Sequence, residues 1–127
     1  MKFAAGQEWS YKAPAGFEAS RIVIGAVATC GDGNHIICFS VYKAPRHTSS
    51  GEVEVVTIPF VPMSENAFEE TVRELTGEAD PPDDFSEALQ TWSEDPRGLS
   101  VFTVPFEGVI DRMIALQMAA IVGSPAA

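Results

Sequence analysis

A chain of 127 residues, 46% hydrophobic and with eight Phe and two Trp, fits one domain that buries roughly two-thirds of its unfolded surface. Its formal charge of −10 excludes the Lys/Arg-driven neutralisation on which nucleic-acid and anionic-lipid binding depend. Eleven of the 18 acids and one of the 8 bases lie between Glu65 and Asp95, so the rest of the chain balances at seven of each.

The start, Met1 to Gly6, holds one base and a three-residue apolar run, too short for a signal-peptide core. Gln7–Lys12 alternates, with Trp9 and Tyr11 on one side and Glu8, Ser10 and Lys12 on the other, which predicts a half-buried strand. Ser20–Thr29 and His35–Lys43 read as a hairpin about an Asp32-Gly33 turn. That turn sets Ala28 opposite Ile37, Ala26 opposite Phe39 and Ile24 opposite Val41, all on one core face. Cys30 then faces His35, and Cys38 faces Val27. Two thiols so placed are too far apart to bond, which predicts free cysteines and a reducing, cytoplasmic location.

Ala44–Gly51 reads as an exposed connection and Glu52–Phe60 as a fourth strand. The apolar set there changes parity from Val53 and Val55 to Val56, Ile58 and Phe60, which predicts a bulge near Val55-Val56. Pro59 suits an edge. Ser64 or Asn66 caps a helix over Ala67–Leu75, with Phe68, Val72 and Leu75 as its buried stripe. Asp80-Pro81-Pro82-Asp83 starts a second acidic helix, with Phe85, Leu89 and Trp92 as its stripe. Leu99–Val104 is expected as the fifth strand. A last helix follows Pro105, and its apolar residues from Phe106 to Val122 exceed one stripe, which allows a homo-oligomeric contact. The longest late apolar stretch, Met113–Val122, is far below the length of a membrane span.

The opening Gly6-x-x-Trp9-x-Tyr11, the segment Glu18-x-Ser20-x-x-x-Ile24, Pro59, Phe60 and Pro62 before the acidic helix, and Gly98-x-x-Val101-Phe102-Thr103-Val104-Pro105 together resemble a group of small uncharacterised bacterial proteins. The resemblance spans most of the chain. It implies a small stand-alone α+β domain and nothing about catalysis. It departs in the loop after Tyr11, where an Arg is expected and Ala13-Pro14-Ala15 stands.

Catalytic signatures are missing: there is no nucleophile elbow, metalloprotease helix or phosphate loop, and Gly31-x-Gly33 has neither the helix nor the Lys that a phosphate loop needs. Cys38 with His35 or His47 is a weaker reading than a buried apolar thiol. The two Cys and two His do not match zinc spacing. Glu78, Asp80, Asp83 and Asp84 are hard oxygen donors, yet helix capping accounts for Asp80 and Asp83.

The chain therefore predicts one α+β domain over residues 1–127. It consists of a strongly bent antiparallel sheet of about five strands that could close as a barrel, two inserted acidic helices and a C-terminal helix. No cofactor or metal is expected. The function expected first is non-enzymatic: Glu70, Glu74, Asp84 and Glu87 form an acidic helical face for a basic protein partner. The alternative is a small-molecule or enzymatic site in a sheet-side pocket near Trp9, Tyr11 and Arg21.

Overall fold

The computed structural model describes residues 3–13, 15–29, 33–47, 50–94, 101–104 and 106. Period-2 stretches give β1 (Gln7–Tyr11), β2 (Arg21–Thr29), β3 (His35–His47) and β4 (Val53–Ser64). After them come α1 (Glu65–Thr71), β5 (Val72–Glu78) and α2 (Phe85–Ser93). The fold is α+β. All five strands among the described residues join one antiparallel sheet in the order β4-β3-β2-β1-β5. Its edges β4 and β5 do not pair with each other, so the sheet is open where the sequence allowed a closed barrel.

Each face of the sheet carries its own apolar cluster. On one face Ile22, Ile24, Ile37, Phe39, Val41, Val61 and Met63 pack with Trp9, Tyr11 and Phe68 of α1. Phe3 closes this cluster edge-on to Phe68, with ring centroids 4.8 Å apart, a preferred aromatic geometry. On the other face Ile36 and Cys38, with Ala26, Ala28 and Phe60, pack against Phe85, Leu89 and Trp92 of α2. The second helical stripe stands as the spacing of its three residues predicts. Small side chains on that face let α2 come close. At Gly25 the approach is at its limit, because a Cβ there would overlap the Phe85 ring.

Gly25 also resets the register. The hairpin pairs Thr29 with His35 and Ala26 with Cys38, then Ile24 with Phe39 and Ile22 with Val41, so Gly25 is an extra residue in β2. This corrects the expected pairing. Ala26 and Ala28 lie on the α2 face, and Val27 packs with the Ile37 face. The turn residues Cys30, Gly31 and Asp32 lie outside the described residues.

The long β3–β4 pairing has two further irregularities. One falls between Val41 and Ala44 on β3, where Lys43 takes a left-handed φ of 56°. The other falls between Ile58 and Val61 on β4. The bulges are therefore at Lys43 and at Pro59-Phe60 rather than at Val55-Val56. Ser40 Oγ donates to the Pro59 carbonyl at 2.7 Å there, and the extra residue turns Phe60 toward α2. Pro59 sits on an edge strand as expected. Ala44–His47, read as a connection, extends β3 instead.

The largest departure lies after α1. Ser64 caps the helix, its Oγ accepting from the Ala67 N–H at 3.4 Å. The helix stops at Thr71 instead of running to Leu75. Thr71 Oγ1 donates to the Ala67 carbonyl at 2.8 Å and accepts the Phe106 N–H at 2.9 Å. Val72 is already extended. From there the chain pairs with β1, so that Tyr11 faces Val72 and Trp9 faces Leu75. Leu75, assigned to the helical stripe, is 54% exposed.

The fifth strand of the sheet among the described residues is Val72–Glu78, where Leu99–Val104 was expected. Among the described residues of Leu99–Val104, Phe102 makes one parallel bridge to Met63. The start of that segment and the C-terminal helix beyond Phe106 lie outside the described residues.

Candidate functional site

The acidic residues divide between the two faces of the sheet. Glu70 is exposed on α1 and Glu74 on β5, while Asp84 and Glu87 are exposed at the start of α2. Because α1 and α2 cover opposite faces, the sheet separates Glu70 from Glu87. The four carboxylates are not one patch, since the single long helix that would have aligned Glu70 with Glu74 does not form.

The acids on the α2 side act on their surroundings. The expected helix start at Asp80–Asp83 is displaced, with Asp84 as the N-cap residue and no side-chain capping bond. The two prolines precede the helix. The Tyr42 hydroxyl donates to the Asp80 carbonyl at 2.9 Å. Its pKa is raised, first by burial and then by the charges of Asp80, Asp83 and Asp84. Those three carboxylates therefore place negative charge around Tyr42, next to the start of α2.

Beside them lies a groove of about 560 Å³ between α2 and β4. Phe60, Pro62, Trp92 and Phe102 form its apolar lining, Asp84 and Glu87 line it with charge, and among the described residues no Lys or Arg lines it. The β4 bulge supplies Phe60, whose ring centroid is 5.7 Å from that of Trp92 and 5.6 Å from that of Phe85. The helical stripe supplies Trp92. Sequence reasoning assigned Trp92 to the core and gave Phe60 and Phe102 no site role. The visible signal was a Phe between Pro59 and Pro62 on an edge strand.

Two other hollows have weaker chemistry. One of about 610 Å³ lies along residues 4–7 and 78–80 and has no aromatic side chain. The other, of about 460 Å³, lies by Asn34, His35 and Glu65.

Trp9, Tyr11 and Arg21 do not converge. Trp9 and Tyr11 are buried in the α1-side core, where Trp9 Nε1 donates to Gln7 Oε1 at 3.1 Å. The Tyr11 hydroxyl shares a 2.7 Å bond with Ser20 Oγ, and burial raises its pKa against the lowering effects of Ser20 and Arg21. Arg21 lies one residue before the inward-facing Ile22, which puts it on the opposite face. There its Nη1 donates to the carbonyls of Glu18 and Ser20, and its Nε is 4.0 Å from Glu8. None of the three hollows includes these residues.

Cys38 is free and fully buried, and burial pushes its thiol up to about 12. His35 lies three residues away on the same strand and so on the other face; its Nδ1 is 3.2 Å from Thr29 Oγ1. A protonated thiol with no base in reach among the described residues is a poor nucleophile. Cys30 and the His47 side chain lie outside the described residues. Among the described residues no three His, Cys, Asp or Glu side chains gather as a metal site would require. No described helix is long and apolar enough to cross a membrane.

Comparison of the chain with family models, with curated proteins and with solved structures returns no match.

Proposed function

We propose that the protein is a non-enzymatic interaction module that recruits a basic protein partner through its acidic surface. The observation that carries this reading is the start of α2, where exposed Asp84 and Glu87 line an apolar groove that no Lys or Arg lines among the described residues. Glu70 and Glu74, on other elements, add long-range attraction during encounter, which depends on summed charge more than on contact. One exposed ion pair is worth about 0–1 kcal/mol, so the effect belongs to the set. The buried, protonated Cys38 fits a reducing compartment, and we place the protein in the cytoplasm. A ligand site at Trp9, Tyr11 and Arg21 has less support, because the two rings and the guanidinium occupy opposite faces.

The test is a quantitative pull-down from the native host at low salt. It compares wild type with the variant Glu70→Gln, Glu74→Gln, Asp84→Asn and Glu87→Gln. Loss of one or more basic partners from the variant, with wild-type capture that weakens as salt is added, is the expected outcome. Identical partner sets at low salt would sink the reading and leave the charge as a solubility feature.

A further inference from the structure

Resting on that reading, we propose that the groove between α2 and β4 is the selective contact, and that its occupant is a linear peptide segment carrying a Lys or Arg beside an aliphatic side chain. The groove offers two chemistries at once. Its rings and prolines accept an apolar side chain, and its aromatic faces attract a cation as well. Its two carboxylates require a positive charge close to that apolar group, because a purely apolar guest would leave Asp84 and Glu87 partly desolvated and without compensation. The nearby Asp80 and Asp83 deepen the same field, as their effect on Tyr42 shows. The volume of about 560 Å³ falls within the range of specific side-chain and ligand sites. It has room for one long basic side chain and its neighbour.

The groove rests on rigid elements. Phe60 is fixed between Phe85 and Trp92, and Phe102 is tied to the end of β4 by two backbone bonds of 2.9 Å, one to Ser64 and one to Pro62. The arrangement is therefore formed before the partner arrives, which lowers the ordering cost of binding. Arginine suits it better than lysine, since a planar guanidinium can stack on a ring and bond a carboxylate together.

The experiment is an NMR titration of the isotopically labelled full chain with two blocked hexapeptides. One alternates Leu with Arg; in the other, Gln replaces each Arg. The expected result is saturable shifts confined to α2, β4 and the Trp92 indole for the Arg peptide, with affinity at least tenfold weaker for the Gln peptide. The pair Asp84→Asn and Glu87→Gln should weaken the Arg peptide roughly fivefold, while Glu70→Gln with Glu74→Gln leaves it within about twofold.

No saturable binding, or equal affinity for both peptides, overturns the proposal. So do Trp92 shifts that track protein concentration alone, because a second copy would then be the occupant. Sensitivity to the Glu70/Glu74 pair with indifference to the Asp84/Glu87 pair overturns the groove and leaves the acidic-surface reading standing. Indifference to both pairs removes both.

Discussion

A single glycine decides how closely α2 meets the sheet. Gly25 is the extra residue of a bulge, and its missing Cβ is the space that the Phe85 ring fills. Gly25→Ala should therefore cost about 1–3 kcal/mol through overpacking, read as a lower urea midpoint. The double variant with Phe85→Leu should cost less than the two single variants added together, because the residues are in contact. Additive losses would mean that the ring moves aside freely.

Cys38 makes a second test at this scale. Its folded pKa, about 12, lies above its ordinary value of 9.0, so the unfolded chain gives up this proton first as pH rises. The stability contributed by the neutral thiol is fully present below about pH 9 and is lost toward pH 12. Tyr11 and Tyr42 are shifted in the same direction. Denaturation midpoints should fall across that window, and Cys38→Ala should flatten part of the fall. In the native protein at pH 8, mass mapping after iodoacetamide treatment should find Cys38 unmodified.

At the scale of elements, the junction of α1 and β5 separates what local pattern can carry from what only pairing decides. Phe68 is fully buried in the α1 stripe and Leu75 is 54% exposed. Phe68→Ala should cost about 3–5 kcal/mol, and Leu75→Ala should stay within about 0.5 kcal/mol, both measured by urea unfolding. A continuous helix through Leu75 would make both costly.

The strands from Gln7 to Thr29, the core positions of β3 and the stripe of α2 were legible because one face of each is apolar at the right period. The end of α1 was not. Val72 and Leu75 satisfy helical spacing from Phe68, and helix propensity is a weak prior that tertiary context overrides. What settles the matter is the edge of β1, more than sixty residues away in sequence, which Val72–Glu78 covers. The slip in the β2–β3 register has a similar cause. Reading from the turn outward assumed an unbroken ladder, and Gly25 breaks it. The candidate site was half legible: the charge of Asp84 and Glu87 was plain, but Phe60 reaches α2 only because β4 bulges at Pro59.

The formal charge is −10 for the whole chain, and the acids of α1 and α2 stand on opposite faces of one sheet. That distribution favours early attraction of cations from any direction, and under the function proposed above close contact falls on the α2 side. The four neutralising substitutions at Glu70, Glu74, Asp84 and Glu87 all fall on exposed positions. Their combined variant should keep its far-ultraviolet circular dichroism, with a urea midpoint equal to or slightly above that of wild type, since surface changes are usually near neutral and self-repulsion falls. A large loss of stability would show that some of these carboxylates hold the fold.

The strand order β4-β3-β2-β1-β5 also has a consequence in time. The three strands β2, β3 and β4 are neighbours along the chain, and each can zip to the one before it as it is synthesised. The first strand cannot be finished that way: its outer flank is covered only by residues 72–78. Until Glu78 has left the ribosome, Trp9 and Tyr11 wait on an open edge, and such late, distant pairings are the slow ones. A later-made strand thus completes an earlier one.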